Sequence, residues 1–340
     1  MQSISHSNFG DIAGQALSCG IVMCTCNGMP YLAQQLDSLL QQDTLPDQIA
    51  IFDDASDDGT WEYVQQWAAN QQIPLRLRRN ESRLGVVRNF EAAVQAVDTD
   101  IVFLCDQDDI WLPFKLRLLR EHFEKDPALT LVHTDARLVD SGGHDMQASL
   151  FQSLGVSSQE RAWIEQGRAL DVLCRRNIVT GATAAFRREL LDVALPFAPG
   201  WVHDEWLAAL AAATGKLKLE ERSTILYRQH GRNAIGMEAP GVSRLIKRLK
   251  FILNLPRGKY QAQRLMRVEQ LRARLDKVGG WPADLADMLQ DWFSFVQFGA
   301  TLPDNAVLRM VAVLRRAVLT GHYRRFGRGS ASALRDIIKR

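Results

Sequence analysis

The amino-acid sequence predicts an α/β protein in which a Rossmann-like, mostly parallel sheet is flanked by helices and followed by a C-terminal helical region. Between residues 19 and 135, short apolar runs typical of strands alternate with patterns typical of helices. Such alternation favours right-handed crossovers and a parallel sheet covered on both faces. From residue 242 onward the pattern is helical only. With 340 residues, 46% of them hydrophobic, the chain is long enough for one large domain or two modest ones.

The first part of the chain contains five predicted strands separated by helices. Asp57 is placed to cap the helix after the second strand, and Pro113 to start the helix after the fourth. The predicted strands are CGIVMCT (19–25), IAIF (49–52), LRLR (75–78), DIVFLCD (100–106) and LTLVHTD (129–135). The intervening helices carry the apolar positions Leu32, Leu36, Leu39 and Leu40, then Trp61, Val64 and Trp67, then the stretches 83–97 and 113–125.

The later elements are less uniform. The segment 136–180 is predicted to be a loop-rich insertion, and a helix is expected from about Asp204 to Gly215. KLKL (216–219) and STILYR (223–228) are predicted as two further strands. The C-terminal helical stretches are 242–255, 260–278, 283–298 and 306–319, followed by a basic tail.

Charge divides the chain near residue 240. Residues 241–340 carry 20 Lys and Arg against 7 Asp and Glu, whereas the first 240 residues carry 21 against 32. An asymmetry of this size indicates two roles on one chain. We therefore expect a flexible leader (1–18), a catalytic domain (19–240) and a basic helical region (241–340).

The cysteines and the apolar runs indicate the cellular compartment. Five cysteines, an odd number without a C-x-x-C pair, argue against a disulfide framework or a zinc site and favour the cytoplasm. The first 18 residues lack the basic and apolar regions of a signal peptide. No apolar run approaches the roughly 20 residues that span a bilayer.

The motif CDQDDIW (105–111) places three carboxylates within four residues at the end of an apolar strand. Carboxylates this close raise one another's proton affinity unless a cation neutralises them. Hard oxygen ligands suit Mg²⁺ or Mn²⁺. The alternative is a solvated acidic turn, and the strand-end position together with a second acidic strand end favours the metal.

That second strand end is DDASDDGT (53–60). A carboxylate here can accept hydrogen bonds from a ring N–H or from ribose hydroxyls, because ligands of parallel sheets bind beyond the carboxyl ends of the strands. Asp57 and Asp58 suit helix capping, so Asp53 and Asp54 are the better ligand candidates, and Asp54 is preferred. The alternative is that all four aspartates only cap the helix.

Taken in order, IVMCTCNG, DDASDDGT, NESRLGVVRNFE and FLCDQDDIW resemble the family 2 glycosyltransferases of GT-A fold. WVHDEW (201–206) and YRQHGRNAIG (227–236) resemble the bacterial rhamnosyltransferases of surface-polysaccharide and O-antigen synthesis within that family. The resemblance covers about residues 19–236. Cys26 departs from it, because the family commonly has an aromatic residue there, and this puts the donor base in question.

The resemblance implies an inverting, metal-dependent transferase that moves L-rhamnose from dTDP-L-rhamnose to a saccharide acceptor, which is lipid-linked in such pathways. UDP-linked hexose donors stay open. The family implies Asp204 as catalytic base and Mg²⁺ or Mn²⁺ held by Asp108, Asp106 and His230. It implies a nucleotide-sugar pocket formed by Cys24, Thr25, Cys26, Asn27, Asp54, Arg83 and Asp106, with Asp106 towards the ribose.

Other interpretations compete with these assignments. Taken alone, Asp204 suits a helix N-cap, and His230 suits a hydrogen-bonded structural histidine. The first strand–helix turn lacks G-x-G-x-x-G, which argues against a dehydrogenase. A non-catalytic scaffold that binds nucleotide sugars is disfavoured, because Asp106, Asp108 and Asp204 are all present.

The stretch RLIKRLKFILNL (244–255) is a basic amphipathic pattern that predicts contact with the inner membrane surface. The alternative is a helical subdomain that packs on the core with its charges solvated. No recognised nucleic-acid module accompanies the charge, so no nucleic-acid partner is expected.

Overall fold

A computed structural model describes residues 16–231, 257–279, 283–327 and 329–338. It confirms the predicted α/β class with flanking helices and a C-terminal helical region. The strands are β1 (Cys19–Thr25), β2 (Gln48–Asp53), β3 (Leu75–Arg79), β4 (Ile101–Cys105), β5 (Ile110–Trp111), β6 (Leu129–Val139), β7 (Asp145–Ser149), β8 (Ala184–Arg187) and β9 (Lys216–Arg228).

Nine helices lie among the strands in the described ranges, and five more follow them. The first nine are α1 (Leu32–Leu40), α2 (Thr60–Ala68), α3 (Val86–Val94), α4 (Lys115–Lys125), α5 (Leu150–Leu154), α6 (Ser158–Glu165), α7 (Ala169–Leu173), α8 (Leu190–Ala194) and α9 (His203–Thr214). The five C-terminal helices are α10 (Arg257–Val278), α11 (Ala283–Ala300), α12 (Ala306–Thr320), α13 (His322–Arg325) and α14 (Ser330–Ile338).

The described strands form one mixed sheet in the order β3-β2-β1-β4-β8-β6-β9-β5, with β7 paired to β6. β1 to β4 are parallel, as the sequence predicts. The second half of the sheet is mixed, because β8 pairs antiparallel with both β4 and β6 whereas β6 and β9 are parallel. The chain order reverses between β1 and β4, which is where open α/β sheets bind their ligands.

Alternation along the central strands explains why this sheet is buried on both faces. Successive strand residues point to opposite faces, so Val22 packs in one apolar cluster with α3 and α9, whereas Ile21 packs in another with α1 and α4. Phe90 and Phe123 are buried in these two clusters respectively. Apolar side chains therefore cover both faces of the sheet, and polar groups lie at its carboxyl edge.

Several local predictions are wrong. Asp57 does not cap α2, because Gly59 occupies the cap position and Asp58 accepts the hydrogen bond of the Thr60 N–H. KLKL and STILYR form one continuous strand, β9, with register shifts in its pairing to β6. Residues 136–180 are not mainly loop, since they contain the end of β6, β7 and three short helices.

The C-terminal helices pack on the sheet domain. Leu271 of α10 and Trp292 of α11 are buried in the same apolar cluster as Phe90. Arg274 of α10 donates hydrogen bonds to the carbonyls of Val193 and Leu195. The leader up to residue 15 and the basic stretch 244–255 lie outside the described residues, so both remain expectations. Across the ranges described, no helix has the length and apolar character needed to cross a membrane.

Candidate active site

A cavity of about 670 Å³ lies at the carboxyl ends of β1, β2 and β4 and is bounded on its other side by residues 177–181 and the start of α9. Most of the residues predicted for the site line this cavity. They are Cys24, Thr25, Cys26, Asp54, Arg83, Asp106, Asp108 and Asp204. The two predicted residues that do not line it are Asn27 and His230.

The two acids at the end of β2 have separate environments. Asp53 is fully buried and accepts hydrogen bonds from Thr25 Oγ1 and from the N–H and hydroxyl of Ser56, so it organises the turn. Asp54 faces the cavity and accepts hydrogen bonds from the N–H groups of Leu84 and Gly85 at 2.7 and 2.9 Å. Asp54 therefore holds the loop before α3 against the rim of the cavity.

The end of β1 is fixed by a side chain that the sequence analysis did not single out. Gln107 Oε1 accepts the Cys26 N–H at 2.8 Å, and Gln107 Nε2 donates to the Cys26 carbonyl at 3.1 Å. These two hydrogen bonds connect the segment after β4 to the segment after β1. Asn27 adopts a left-handed backbone conformation (φ 53°) and bonds Asp57 instead of facing the cavity. Asn27 therefore does not line this cavity, and its part in nucleotide binding stays a prediction.

The three acids of CDQDDIW are divided by the fold. Asp109 is fully buried away from the cavity, and its carboxylate accepts the Arg228 N–H at 3.0 Å. Asp106 and Asp108 both line the cavity. Burial, followed by the charges of Asp108 and Asp204, raises the pKa of Asp106 to about 7. The floor of the cavity therefore disfavours an uncompensated negative charge.

Asp108 is joined to the segment that follows β9. Its carboxylate lies 2.9 Å from Nε2 of His230, and the His230 ring stacks on Tyr31 with centroids 4.8 Å apart. The Arg228 guanidinium also lies over Tyr31, at 4.8 Å, and donates to the Asp108 carbonyl. Tyr31 thus positions His230 beside Asp108, and its contribution has no signal in the sequence pattern.

Asp204 lies in the first turn of α9, and Val202 rather than Asp204 occupies the N-cap position. The interpretation of Asp204 as an N-cap is therefore excluded. One carboxylate oxygen accepts the Gly181 N–H at 2.9 Å and the other accepts the Glu205 N–H at 2.7 Å. Burial raises the pKa of Asp204 to about 6. This is a fixed carboxylate that is more basic than an ordinary aspartate, in the range suited to a general base.

His203 is a second residue that the sequence analysis left without a role. Its ring stacks on Phe90 at 4.1 Å and lines the cavity, and within the described ranges neither ring nitrogen has a hydrogen-bond partner. Burial lowers the pKa of His203 to about 3, so the ring is neutral. A neutral imidazole can donate one hydrogen bond and accept another. Its adjacency to Asp204 is the only sequence signal for it.

Arg83 lies at the rim. Its guanidinium is 3.7 Å from Asp57, and about half of its side chain is exposed. An arginine in this position can reach a bound anion, because an exposed ion pair such as this one is weak and exchangeable.

The residues present fit a divalent cation. In the part of the chain that the structure describes, no group of three or more His, Cys, Asp and Glu side chains is arranged to hold a metal ion by itself. Mg²⁺-type sites, however, need only one or two carboxylates, since water and substrate phosphates complete them. The described residues offer no hydrogen-bond donor to the Asp106 carboxylate, and Asp108 lies beside it in the same cavity. This donor set suits Mg²⁺ or Mn²⁺.

Known proteins resemble this chain in sequence and in fold. The family model described as "Glycosyl transferase family 2" matches residues 20–194. An uncharacterized protein of Mycobacterium tuberculosis is 26% identical over 213 residues, which are 62% of this chain and 58% of that relative. The chain therefore spans under two thirds of that relative's length. A dTDP-rhamnosyl transferase, RfbG of Shigella flexneri, is 24% identical over 220 residues, which are 63% of this chain and 73% of RfbG.

Two solved structures share the fold. S. aureus TarS 1–349 in complex with UDP-GlcNAc superposes with a TM-score of 0.57 at 14% identity, covering 94% of this chain and 88% of that one. The mannosyltransferase PcManGT of Pyrobaculum calidifontis, in complex with GDP-Man and Mn²⁺, gives 0.50 at 17% identity, covering 96% and 87%. At these identities the likeness establishes the GT-A fold alone.

Proposed function

Because the chain belongs to glycosyl transferase family 2, we propose that it transfers a sugar from a nucleoside diphosphate donor to a hydroxyl group of a saccharide acceptor. The observation that carries the proposal is the pairing of Asp106 and Asp204 in one cavity. The two carboxylates are close enough for the charge of Asp204 to raise the pKa of Asp106. Asp106 would face a phosphate-bound cation, and Asp204 would accept a proton.

Asp204 acts as the general base. At pH 7 its carboxylate is mostly ionised, because its pKa is about 6. It takes the proton of the acceptor hydroxyl while the hydroxyl oxygen forms a bond to the anomeric carbon. The bond from that carbon to the donor phosphate breaks, and the nucleoside diphosphate leaves with the electron pair. Attack on the face opposite the leaving group inverts the anomeric centre. General-base assistance of this kind typically increases the reaction rate by about 10²–10⁴-fold.

The nucleoside diphosphate would bind on the β1 and β2 side of the cavity. Asp54 and the backbone around Cys26 line that side, and Arg83 stands at the rim. Asp106 and Asp108, with His230 beside Asp108, would hold Mg²⁺ or Mn²⁺. A divalent cation there offsets the charge that develops on a departing diphosphate. The Mn²⁺ named with the mannosyltransferase of the same fold supports this part of the proposal.

We further propose dTDP-L-rhamnose as the donor and surface-polysaccharide or O-antigen synthesis as the context. The named activity of RfbG supports the sugar. The apolar side chains of Leu154, Val179 and Val202 line the cavity and suit a sugar that carries a methyl group. The five cysteines are unpaired, which fits a cytoplasmic location.

Thermal stabilisation by candidate donors tests the proposal. dTDP-L-rhamnose with Mn²⁺ should raise the melting temperature of the 340-residue chain in proportion to ln(1 + [L]/Kd), and UDP-GlcNAc should raise it less. Addition of EDTA should remove the effect. If UDP-GlcNAc stabilises more strongly, the sugar and the base are both assigned wrongly. If no nucleotide sugar shifts the melting temperature in Mn²⁺, the transferase proposal fails.

A further inference from the structure

Helix α12 (Ala306–Thr320) presents an apolar stripe to solvent. Val307, Val311, Leu314 and Val318 are 63%, 54%, 50% and 80% exposed. At 100° per residue these positions fall within about 60° of arc on one face of the helix. Isolated exposed apolar residues are ordinary, whereas a continuous stripe of this length marks an interaction surface.

The opposite face of α12 holds the helix in this orientation. Arg309 is only 2% exposed, and its guanidinium donates hydrogen bonds to the carbonyls of Ile337, Pro303 and Asp304. Val313 on the same side is fully buried. Rotating the helix to bury its stripe would break these hydrogen bonds and expose the Arg309 guanidinium to solvent. The stripe therefore faces outward because the inward face is fixed.

The apolar surface extends beyond the stripe. Helix α14 packs against α12, and its own outward positions Leu334 and Ile338 are 57% and 59% exposed. The flanks of the stripe on α12 are also apolar and exposed at Leu308, Met310 and Leu319.

The charge around this surface is mainly positive, with Asp304 as an exposed carboxylate just before α12. Residues 306–338 contain seven arginines and a single acidic residue, Asp336. Asp336 is buried and accepts hydrogen bonds from Tyr323 and Arg335, so it presents no carboxylate to solvent. Arg315 on α12 and Arg324 on α13 are exposed, whereas Arg316 is hydrogen-bonded to Ser294 and Arg325 is ion-paired with Asp291.

These features favour one kind of binding partner for the apolar surface. A second copy joined through the same face of a two-fold dimer would bring like charges together. A bilayer with anionic headgroups offers hydrocarbon for the stripe and negative charge for the arginines, whose long side chains reach the headgroups while their stems stay apolar.

We propose that α12, together with Leu334 and Ile338 of α14, is a docking surface for an anionic phospholipid bilayer. The helix lies in the interface with its axis along the membrane plane, and the stripe enters the outer part of the hydrocarbon. The proposal does not depend on the sugar donor or on any residue of the cavity, so it stands or falls separately from the proposed function.

Vesicle co-sedimentation of the 340-residue chain tests this proposal. Vesicles of phosphatidylglycerol and phosphatidylethanolamine should bind the wild type, and phosphatidylcholine vesicles should bind it weakly. Val311→Ser combined with Leu314→Ser should lower the partition coefficient at least about tenfold. Arg315→Gln and Arg324→Gln should each lower it about fivefold on anionic vesicles. Leu45→Ser and Val278→Ser, which also change exposed apolar residues, should leave binding unchanged.

Four results would overturn the proposal. The first is a wild type that stays in the supernatant with anionic vesicles, and the second is a serine double variant that binds as the wild type does. The third is a dimer in analytical ultracentrifugation without lipid that the serine double variant dissociates, since the stripe would then join two copies. A lowered melting temperature of that variant with vesicle binding retained would likewise place the stripe against another segment of this chain.

Discussion

The Asp108 carboxylate and the His230 ring nitrogen lie 2.9 Å apart although 122 residues separate them in sequence. This contact ties the carboxyl end of β4 to the segment after β9. Because the His230 ring also stacks on Tyr31, three distant parts of the chain fix the geometry of one carboxylate. We expect that geometry to matter for cation binding.

Asp108→Asn should abolish the response to Mn²⁺. The amide keeps the size of the side chain but loses the charge, so turnover should fall by about 100-fold or more. Isothermal titration of Mn²⁺ in the presence of the donor nucleotide measures the effect. The matched control is Asp276→Asn, whose carboxylate is exposed on α10. If Mn²⁺-dependent nucleotide binding persists in Asp108→Asn, Asp108 is not a ligand.

Asp204→Asn should still bind the donor but lose transfer by about 10²–10⁴-fold, because the amide cannot accept the proton. Titration calorimetry and release of nucleoside diphosphate separate the two effects. Normal turnover in this variant would remove Asp204 as the base.

The pH profile should follow Asp204. Since burial raises its pKa to about 6, kcat/KM should rise with pH below 6 and level off above about 7. Stability should change with pH in the opposite direction to activity, because a raised carboxyl pKa means that the folded state favours the neutral form of Asp204. Relative to Asp204→Asn, the free energy of unfolding of the wild type should fall by about 1.4 kcal/mol for each unit that the pH rises between pH 4 and 6. A flat activity profile between pH 5 and 8 would contradict the assignment.

His203→Phe should preserve the stacking on Phe90 but remove both ring nitrogens from the cavity. Loss of one hydrogen bond to a bound sugar should lower kcat/KM roughly tenfold. The matched control is His133→Phe, because His133 is equally buried, has two unpartnered ring nitrogens within the described ranges and packs on Phe151 outside the cavity. Equal kinetics in the two variants would leave His203 with a packing role only.

Arg228→Ala should destabilise the fold by about 3 kcal/mol or more, since a buried, multiply bonded guanidinium and its partners lose their contacts together. The side chain bonds Gln34 and the carbonyls of Asp108 and Ser141. Urea unfolding measures the change. Arg272→Ala, in an exposed ion pair with Asp276, should cost under about 1 kcal/mol. A stable Arg228→Ala protein would show that the loop after β4 is held by other contacts.

The parallel half of the sheet was predictable from sequence because its signals are local. Strand β4 and the acids after it follow from an apolar run and the position of Asp106 at its end. The place of β8 was not predictable, since its four residues carry no distinctive period and their pairing with β4 and β6 is set by tertiary contacts.

The same reasoning applies to the cavity. Motif residues such as Asp54 and Asp204 were found by type and spacing, whereas Gln107, His203 and Tyr31 gain their roles from partners distant in sequence. Asn27 shows the reverse case, because motif position suggested a cavity residue and the local backbone directs it to Asp57.

The insertion of β8 between β4 and β6 has a consequence for synthesis on the ribosome. Until residue 187 has emerged, the hydrogen-bonding edges of two apolar strands stay open, and open edges recruit other chains. Nascent chains stalled near residue 140 should therefore depend on chaperones, whereas those that have passed the short central strand can close the sheet on themselves.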